Sequence, residues 1–356
     1  MSSTFIYGEF IIKEFPSENK NPKTALKFYS HFPFSVGAMT DLSAVQNAEK
    51  TNSSLTPESK IHAPLQNISF RMEENNTVAV YVGEKLFTKY VPEGGNSPIL
   101  FPIKSACGEN ITRAFPIINN VRNESHDHPH HRSFWLAHGN VHGINFWNES
   151  GKPGKIVFRE FISKNVPTLA AKSEWCAPDG SVLCTDICSM TFAGNATTRW
   201  IDLKWEITAG EKDLCFGDTK EGTFALRVAS SMEEERKSGG KIINSDGFIN
   251  ENAWGKRAAW VDYHGMIGEK KLGITIMNHP KSDFYPTYWH VRTYGLFAAN
   301  PFGVHAFTRH KNKNAGDFIL KAGKTMTLIY RVYIHPGDET EGNVIKCFEE
   351  FQKLNF

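Results

Sequence analysis

The sequence predicts an all-β protein, a large antiparallel β-sandwich with one helix at the carboxyl end. Short apolar or alternating runs recur along the chain, and Gly, Pro, Asn and Asp separate them, which is typical of antiparallel strands. Long helical periodicity is scarce. No Gly/Ser/Pro-rich linker clearly divides the 356 residues, so one large sandwich is favoured over two domains.

The strand prediction rests on seven runs. In residues 200–207, apolar side chains alternate with Asp202, Lys204 and Glu206, so one face of the strand is apolar and the other polar. Pro102 interrupts a second run, at 99–103. The other predicted strands are 78–82, 155–162, 224–228, 272–277 and 325–334.

Helix signals are confined to two segments. Residues 41–50 are compatible with a short helix that begins at Asp41. Residues 339–354 are expected to form an amphipathic helix against the sheet, because apolar residues follow the spacing i, i+3, i+4, i+7: Val344, Cys347, Phe348 and Phe351.

The chain is expected to comprise two regions. Residues 1–97 form an N-terminal β-rich subregion, packed on a main sandwich domain that spans residues 98–356. The net charge of +2 is nearly balanced, so a nucleic-acid partner is not expected. No run approaches the roughly 18 apolar residues that span a bilayer, and residues 1–10 lack the features of a signal peptide. We therefore expect a soluble cytoplasmic protein without a membrane partner.

Residues 124–143 concentrate the chemistry of the chain, because they hold six of its fourteen histidines. Histidine exchanges protons near neutral pH and is the commonest metal ligand. We therefore predict that His128 and His131 are catalytic proton carriers, with Arg132 and Trp147 as substrate-binding residues. The alternative is a solvated polar loop or a buried hydrogen-bond network without catalysis.

The same histidines suggest a metal site. A divalent ion needs two or three imidazoles that converge at about 2.1 Å from it. The candidate ligands are His128, His130, His131 and His138, but their alternating spacing does not by itself establish convergence. No cofactor is otherwise implied.

Two further segments carry candidate site residues. Glu221, just before a predicted strand, is a plausible general acid or base, and Lys220 a ligand for an anion or hydroxyl; the alternative is a charged turn. His290, Arg292 and Tyr294 alternate onto one face of a strand. This combination of a proton carrier, a forked donor and an aromatic hydroxyl suits a sugar; the alternative is an ion pair and a core tyrosine.

In a fourth segment, residues 254–265, alternation along a strand would place Trp260, Asp262 and His264 on the same face. We interpret it as structural.

These four segments together resemble the PmoA-like domain family over roughly residues 98–336. The motifs that carry the resemblance are DHPHHRSFWLAHG, GDTKEGTFALRV, WG followed by WVDYHG, and WHVRTYGLFAANPFG.

The resemblance implies a carbohydrate context, since members of this type accompany sugar oxidoreductases and glycan-degrading proteins. The family label refers to a methane oxygenase subunit, but that copper enzyme is an integral membrane complex and this sequence has no span. We therefore do not expect a methane oxygenase. The implied architecture is a β-supersandwich resembling galactose mutarotase, which presents histidines and a carboxylate on a concave sheet face.

The sequence thus predicts an enzyme that acts on a sugar or glycoside by acid–base catalysis, as an epimerase, glycoside hydrolase or lyase. His128, His131, Glu221 and His290 are its expected catalytic residues. The expected substrate-binding residues are Arg132, Trp147, Lys220, Arg292 and Tyr294. Two alternatives remain open: a divalent-metal-dependent sugar-processing enzyme and a carbohydrate-binding protein without catalysis.

Overall fold

Two antiparallel sheets of eight strands each form the layers of the fold within residues 64–356. The computed structural model describes this region and, before it, the hairpin of β1 (Thr4–Tyr7) and β2 (Phe10–Lys13). The chain divides into two compact units, residues 1–53 and residues 54–356. The helix predicted at residues 41–50 lies outside the described residues.

Sheet I contains the longest strands of the described chain. From one edge to the other its strands are β14 (Lys241–Asn244), β15 (Trp260–Ile267), β16 (Lys270–Asn278), β20 (Thr325–Pro336), β11 (Arg199–Ala209), β10 (Val182–Gly194), β9 (Thr168–Cys176) and β8 (Lys155–Ser163).

Sheet II carries strands from three of the four segments that the sequence analysis singled out. Its order is β17 (Trp289–Val291), β18 (Leu296–Ala299), β13 (Gly222–Arg227), β7 (Phe134–His138), β6 (Ile99–Leu100), β5 (Lys85–Val91), β4 (Val78–Val82) and β3 (Ile68–Met72). A separate pair joins β12 (Leu214–Phe216) to β19 (Phe318–Leu320).

Helices are short in the described part of the chain. The α-helices are α1 (Val304–Thr308) and α2 (Val344–Phe351), and the 3₁₀ turns are Ser230–Met232, Glu234–Arg236 and Asn250–Ala253. None of the helices in this part of the chain is long and apolar enough to cross a membrane.

Aromatic residues form the core between the sheets. Phe224 of β13 packs 5.2 Å from Trp205 of β11 and 5.1 Å from Tyr330 of β20, measured between ring centroids. Phe134 of β7 lies 4.8 Å from Phe224. Burial of such large rings is a main favourable contribution to folding. Because side chains alternate along a strand, the next residues of β7 and β13 emerge on the outer face of sheet II.

The predicted antiparallel sandwich is confirmed, and a strand lies in each of the seven predicted runs. The run at 99–103 forms only the two-residue strand Ile99–Leu100, since Pro102 has no N–H to donate to a neighbouring strand. Strands β3–β5 belong to sheet II through the pairing of β5 with β6. Residues 68–91 are therefore hydrogen-bonded into the same sheet as β6 and β7.

The carboxyl-terminal helix exists but is shorter than residues 339–354. It buries Val344, Cys347 and Phe351, three of the four residues that predicted it. It packs against sheet I, beside Trp260 and Tyr333. The preceding Asn343 has a φ of 51°, a left-handed conformation that separates the helix from the loop before it.

Candidate functional site

A row of residues crosses the outer face of sheet II. The strand register pairs Trp135 with Ala225, Ala225 with Ala298, and Ala298 with His290. Paired residues share a face, so these four side chains emerge on the same side, opposite the Phe224 core. Three strand spacings separate Trp135 from His290, or about 14 Å between backbones. Because the two residues between them are alanines, the row has large side chains only at its ends.

Parallel aromatic rings form one end of this site. His131 stacks on Trp135 with ring centroids 5.4 Å apart, and Trp147 lies 5.2 Å from Trp135. His128 stacks on His131 at 4.7 Å and on Tyr294 at 5.0 Å. The histidine segment, residues 124–143, and the segment that contains Tyr294 therefore meet at this point, although more than 150 residues separate His131 from Tyr294 in sequence.

Buried charges hold the histidine segment against the sheet. Arg113 Nη1 donates to Asp127 Oδ1 over 2.6 Å, and Arg227 Nη2 donates to the same oxygen over 2.9 Å. Arg227 Nη2 also donates to Glu233 over 3.1 Å. Burial raises the pKa of the Asp127 carboxyl, but Arg227, His128 and Arg113 outweigh it, so the net pKa lies below its usual range. The segment is thus anchored by an ionised Asp127.

The environment of His131 makes it a hydrogen-bond donor. Arg227 Nη1 donates to its Nδ1 over 3.2 Å, so the neutral ring carries its proton on Nε2. Burial, followed by the charges of His130 and Arg227, lowers the pKa of His131 well below its usual value. His131 is therefore a neutral imidazole at pH 7, and its Nε2–H faces no hydrogen-bond acceptor within residues 64–356.

His290 has the same protonation state at the other end of the row. Trp254 donates its Nε1–H to His290 Nδ1 over 2.7 Å, which leaves the ring proton on Nε2. Burial, then the charges of Lys220 and Arg292, lower the pKa of His290 well below its usual value. Its Nε2 is buried and has no hydrogen-bond partner among the described residues.

His128 differs from both, because its partner is a carboxylate. Its Nδ1 lies 2.5 Å from Asp127 Oδ2, and its side chain is 42% exposed. In the neutral form with the proton on Nδ1, the ring offers the lone pair of Nε2 to a ligand. His128 therefore combines an orienting carboxylate with access to solvent, which are the features of a general base.

The charged turn before β13 completes the site. Gly139 donates its N–H to the Glu221 carbonyl over 2.6 Å, and a Cβ at Gly139 would lie 2.8 Å from the Glu221 Cβ, so glycine permits this close packing. Glu221 forms an ion pair with Lys220. Burial and the charge of His128 lower the pKa of His130 to about 4, and the carboxylates of Glu221 and Glu149 oppose that shift. Glu221 is therefore close to the histidine segment.

The remaining predicted binding residues have different surroundings. Arg132 donates to Glu149 through two nitrogens, over 2.6 Å and 2.8 Å, so its guanidinium is already paired. The Arg292 guanidinium lies 5.8 Å from the Trp254 ring and 5.6 Å from the Tyr294 ring. Trp147 is buried beside Trp135, and the Nε1 atoms of both have no hydrogen-bond partner in the described part of the chain.

His138 lies apart from the other histidines. It faces Phe216 and Phe302 on the inner side of β7, where its Nε2 contacts the Gly217 carbonyl at 2.8 Å and its Nδ1 contacts Thr223 Oγ1 at 3.3 Å. With both nitrogens engaged, His138 has none left for an ion shared with His128, His130 and His131. His138 shares the strand parity of the core residues Phe134 and Leu136, so regular alternation along β7 places it on the inner side, away from the candidate ion ligands His128, His130 and His131.

Converging metal ligands occur elsewhere in the described residues. Asp262, His264 and Glu339 place their ligand atoms within 4.8 Å of one another, whereas the trio of His128, His130 and His131 does not meet that spacing. Asp262 and His264 lie on β15 of sheet I. The fourth segment of the sequence analysis, residues 254–265, is therefore split between two places. Trp254 contacts His290 in the site, whereas Asp262 and His264 lie outside it.

The sequence analysis missed five residues of the site. They are Arg113, Asp127, Trp135, Arg227 and Trp254. Arg227 was detectable, because a charged residue inside the apolar run FALRV must find a buried partner. Arg113 follows the largely polar stretch 109–112 and lies outside any predicted strand, and nothing in the sequence links it to Asp127.

Comparison with known proteins gives a family but no activity. A family model described as "Family of unknown function (DUF6807)" matches residues 77–349. This agrees with an uncharacterised family, while the PmoA label finds no support. No curated protein matches the chain.

Solved structures with a similar fold are distant. A putative aldose 1-epimerase from Escherichia coli K12 is 13% identical to this chain, with a TM-score of 0.34. The match covers 77% of this chain and 99% of the epimerase. A putative aldose 1-epimerase from Klebsiella pneumoniae subsp. pneumoniae is 8% identical, with a TM-score of 0.41, covering 81% of this chain and 88% of its own. Likenesses at this level do not assign a reaction.

Proposed function

The chain belongs to the DUF6807 family of unknown function, and we propose that it is an enzyme acting on a sugar or sugar derivative by acid–base catalysis. One observation carries the proposal. The Nε1 atoms of Trp135 and Trp147 and the Nε2 atom of His290 are buried without a hydrogen-bond partner in the described chain, and all three are donors. Leaving buried donors unpaired costs about 1–3 kcal/mol each. A ligand rich in acceptor oxygens relieves that cost.

Aromatic rings next to these donors favour a sugar over other oxygen-rich ligands. A sugar ring presents C–H groups on its faces and hydroxyl oxygens at its rim. Tyr294, which is only partly buried, supplies an apolar ring surface 6.4 Å from His131, while Trp135 and Trp147 are themselves buried. The ligand would therefore stack on the Tyr294 ring and accept hydrogen bonds at the same time.

The proton-transfer roles follow from the surroundings of each group. His128, oriented by Asp127, is the proposed general base or acid, and Glu221 the proposed partner of opposite role. His131 and His290 are neutral donors, so they suit polarisation of a substrate oxygen and stabilisation of negative charge that develops on it. Epimerisation, lyase elimination and glycoside cleavage all use a general acid and a general base.

Solvent exchange of sugar protons tests this function. A panel of aldoses, uronic acids and methyl glycosides is incubated with the protein in D₂O and followed by ¹H NMR. We expect one class of sugar to exchange a C–H proton, change anomer or release a product. His128→Gln and Glu221→Gln should each lower that rate by about 10² to 10⁴, the usual contribution of general acid–base catalysis.

The same experiment separates the two alternatives. Loss of turnover with a chelator, and its return with a divalent ion, would favour metal-dependent chemistry at His128, His130 and His131. Line broadening of a sugar without any turnover would favour a binding protein. Turnover that survives both substitutions would remove the acid–base assignment.

A further inference from the structure

We propose that the substrate of this site carries a carboxylate, held by Arg292 and Lys220 beside His290. The inference rests on the proposed function and names the class of sugar: a uronic acid or its glycoside. The argument starts from Arg292, whose guanidinium makes no ion pair or hydrogen bond to any side chain of the described residues. It lies between two aromatic rings, Trp254 and Tyr294, at 5.8 Å and 5.6 Å.

The paired arginines of the same site provide the contrast. Arg113, Arg132 and Arg227 each donate to a carboxylate of the chain at 2.6–2.9 Å. Arg292 has an equally fixed position between aromatic rings but no such partner. A planar guanidinium fork matches a carboxylate through two parallel hydrogen bonds, so the missing partner is of that shape.

A second cation and a buried donor lie next to Arg292. The charges of Lys220 and Arg292 both act on the His290 imidazole. His290 is itself 1% exposed, and its Nε2–H has no partner in the described part of the chain. Lys220 pairs with Glu221, whereas Arg292 forms no ion pair within the described residues, so the charge of Arg292 has no partner there. A ligand with a single negative charge would balance this positive charge. His290 Nε2–H would donate to the carboxylate of the ligand or to the neighbouring oxygen of the sugar ring.

The position of this charge fits an acidic sugar. Trp135 and His290 stand about 14 Å apart across three strand spacings, with alanines between them. The ring would lie over the alanines beside Tyr294, whose ring is 5.6 Å from the Arg292 guanidinium, so that its carboxylate reaches Arg292. A phosphate dianion is less suited, because the site offers one excess positive charge and no helix N-terminus among its strands.

Binding of matched acidic and neutral sugars tests the inference. Titration calorimetry is performed with methyl glucuronide, methyl galacturonide and methyl mannuronide, and with the three neutral methyl glycosides. For at least one configuration we expect the acid to bind about tenfold more tightly or better, with an affinity that falls as salt rises. Arg292→Met should abolish that preference, because it should weaken binding of the acid far more than binding of the neutral sugar. Arg159→Met, the same change on sheet I, should preserve the preference.

Each other outcome has a defined meaning. Equal affinity for acidic and neutral sugars, or a preference that survives Arg292→Met, overturns the carboxylate while the proposed function stands. Tighter binding of a 6-phosphosugar than of the uronide also overturns it. If no sugar of either kind binds or turns over, the proposed function fails and this inference fails with it.

Discussion

Trp254 donates its indole N–H to Nδ1 of the buried His290, over 2.7 Å, and thereby determines which imidazole nitrogen carries the proton. The two residues come from different segments of the chain, and their contact gives His290 a fixed Nε2–H donor. Arg227 has the same effect on His131 at the opposite end of the row. The site therefore has two neutral, oriented donors, in addition to His128 and Glu221, to which we assign proton transfer in the proposed function.

Replacing Trp254 tests the role of this hydrogen bond. Trp254→Phe keeps an aromatic ring but removes the donor, so His290 should populate both neutral tautomers. Turnover should fall by about 2- to 10-fold, the effect of losing one hydrogen bond of ordinary strength. The ¹⁵N chemical shifts of His290 report the tautomer directly. Trp200→Phe on sheet I is the control, and an unchanged His290 spectrum in Trp254→Phe would contradict the assignment.

His128 and His131 should respond differently to truncation. His128→Ala should reduce turnover by about 10² to 10⁴ with little change in thermal midpoint, because the side chain is 42% exposed. His131→Ala should also melt early, since it removes a buried ring from Trp135 and the acceptor of Arg227, at about 1–3 kcal/mol for the unpaired donor. Calorimetry and turnover on both variants provide the measurement. Full activity in His128→Ala would refute its role.

Arg227 should be among the most sensitive positions for stability. Arg227→Met removes a fully buried cation from Glu233, which keeps only the partly exposed Arg236, and from Asp127, which keeps Arg113, so it should cost about 1–3 kcal/mol of unfolding free energy. Arg132→Met is the matched control: its ion pair with Glu149 is partly exposed, so its loss should cost about 0–1 kcal/mol. Urea denaturation measures both. Similar costs for the two variants would show that the Arg227 network is not a stabilising element.

The buried histidines should make the protein acid-sensitive. Burial lowers the pKa of His138 from 6.5 to about 4. Between these values the unfolded chain binds more protons than the folded chain, so the free energy of unfolding should fall as the pH falls through this window. For His138 alone the loss at pH 5 is about 2 kcal/mol.

The control for this pH dependence is His138→Gln, which retains a donor for the Gly217 carbonyl but does not titrate. Its unfolding free energy should depend less steeply on pH between 4 and 6.5 than that of the wild type. Chemical denaturation at a series of pH values measures the difference. Parallel pH profiles for the two proteins would mean that His138 is not a source of the acid sensitivity.

Local pattern was sufficient to predict much of the fold. Alternation in residues 200–207 and the apolar runs at 224–228 and 325–334 predicted strands, because a half-buried strand must separate polar from apolar side chains with a period of two. The spacing of Val344, Cys347 and Phe351 predicted the last helix in the same way. Composition also indicated which segment was rich in proton carriers.

The protonation states and partners in the site were decided by tertiary structure. Nothing in the sequence indicates that Arg227 donates to His131 or that Trp254 donates to His290. These contacts depend on strand register and on burial, which join residues far apart in the chain. The sequence determined which residue types were present, and the packing of sheet II determined which imidazoles carry an Nε2–H donor and which guanidinium has no ion-pair partner among the described residues.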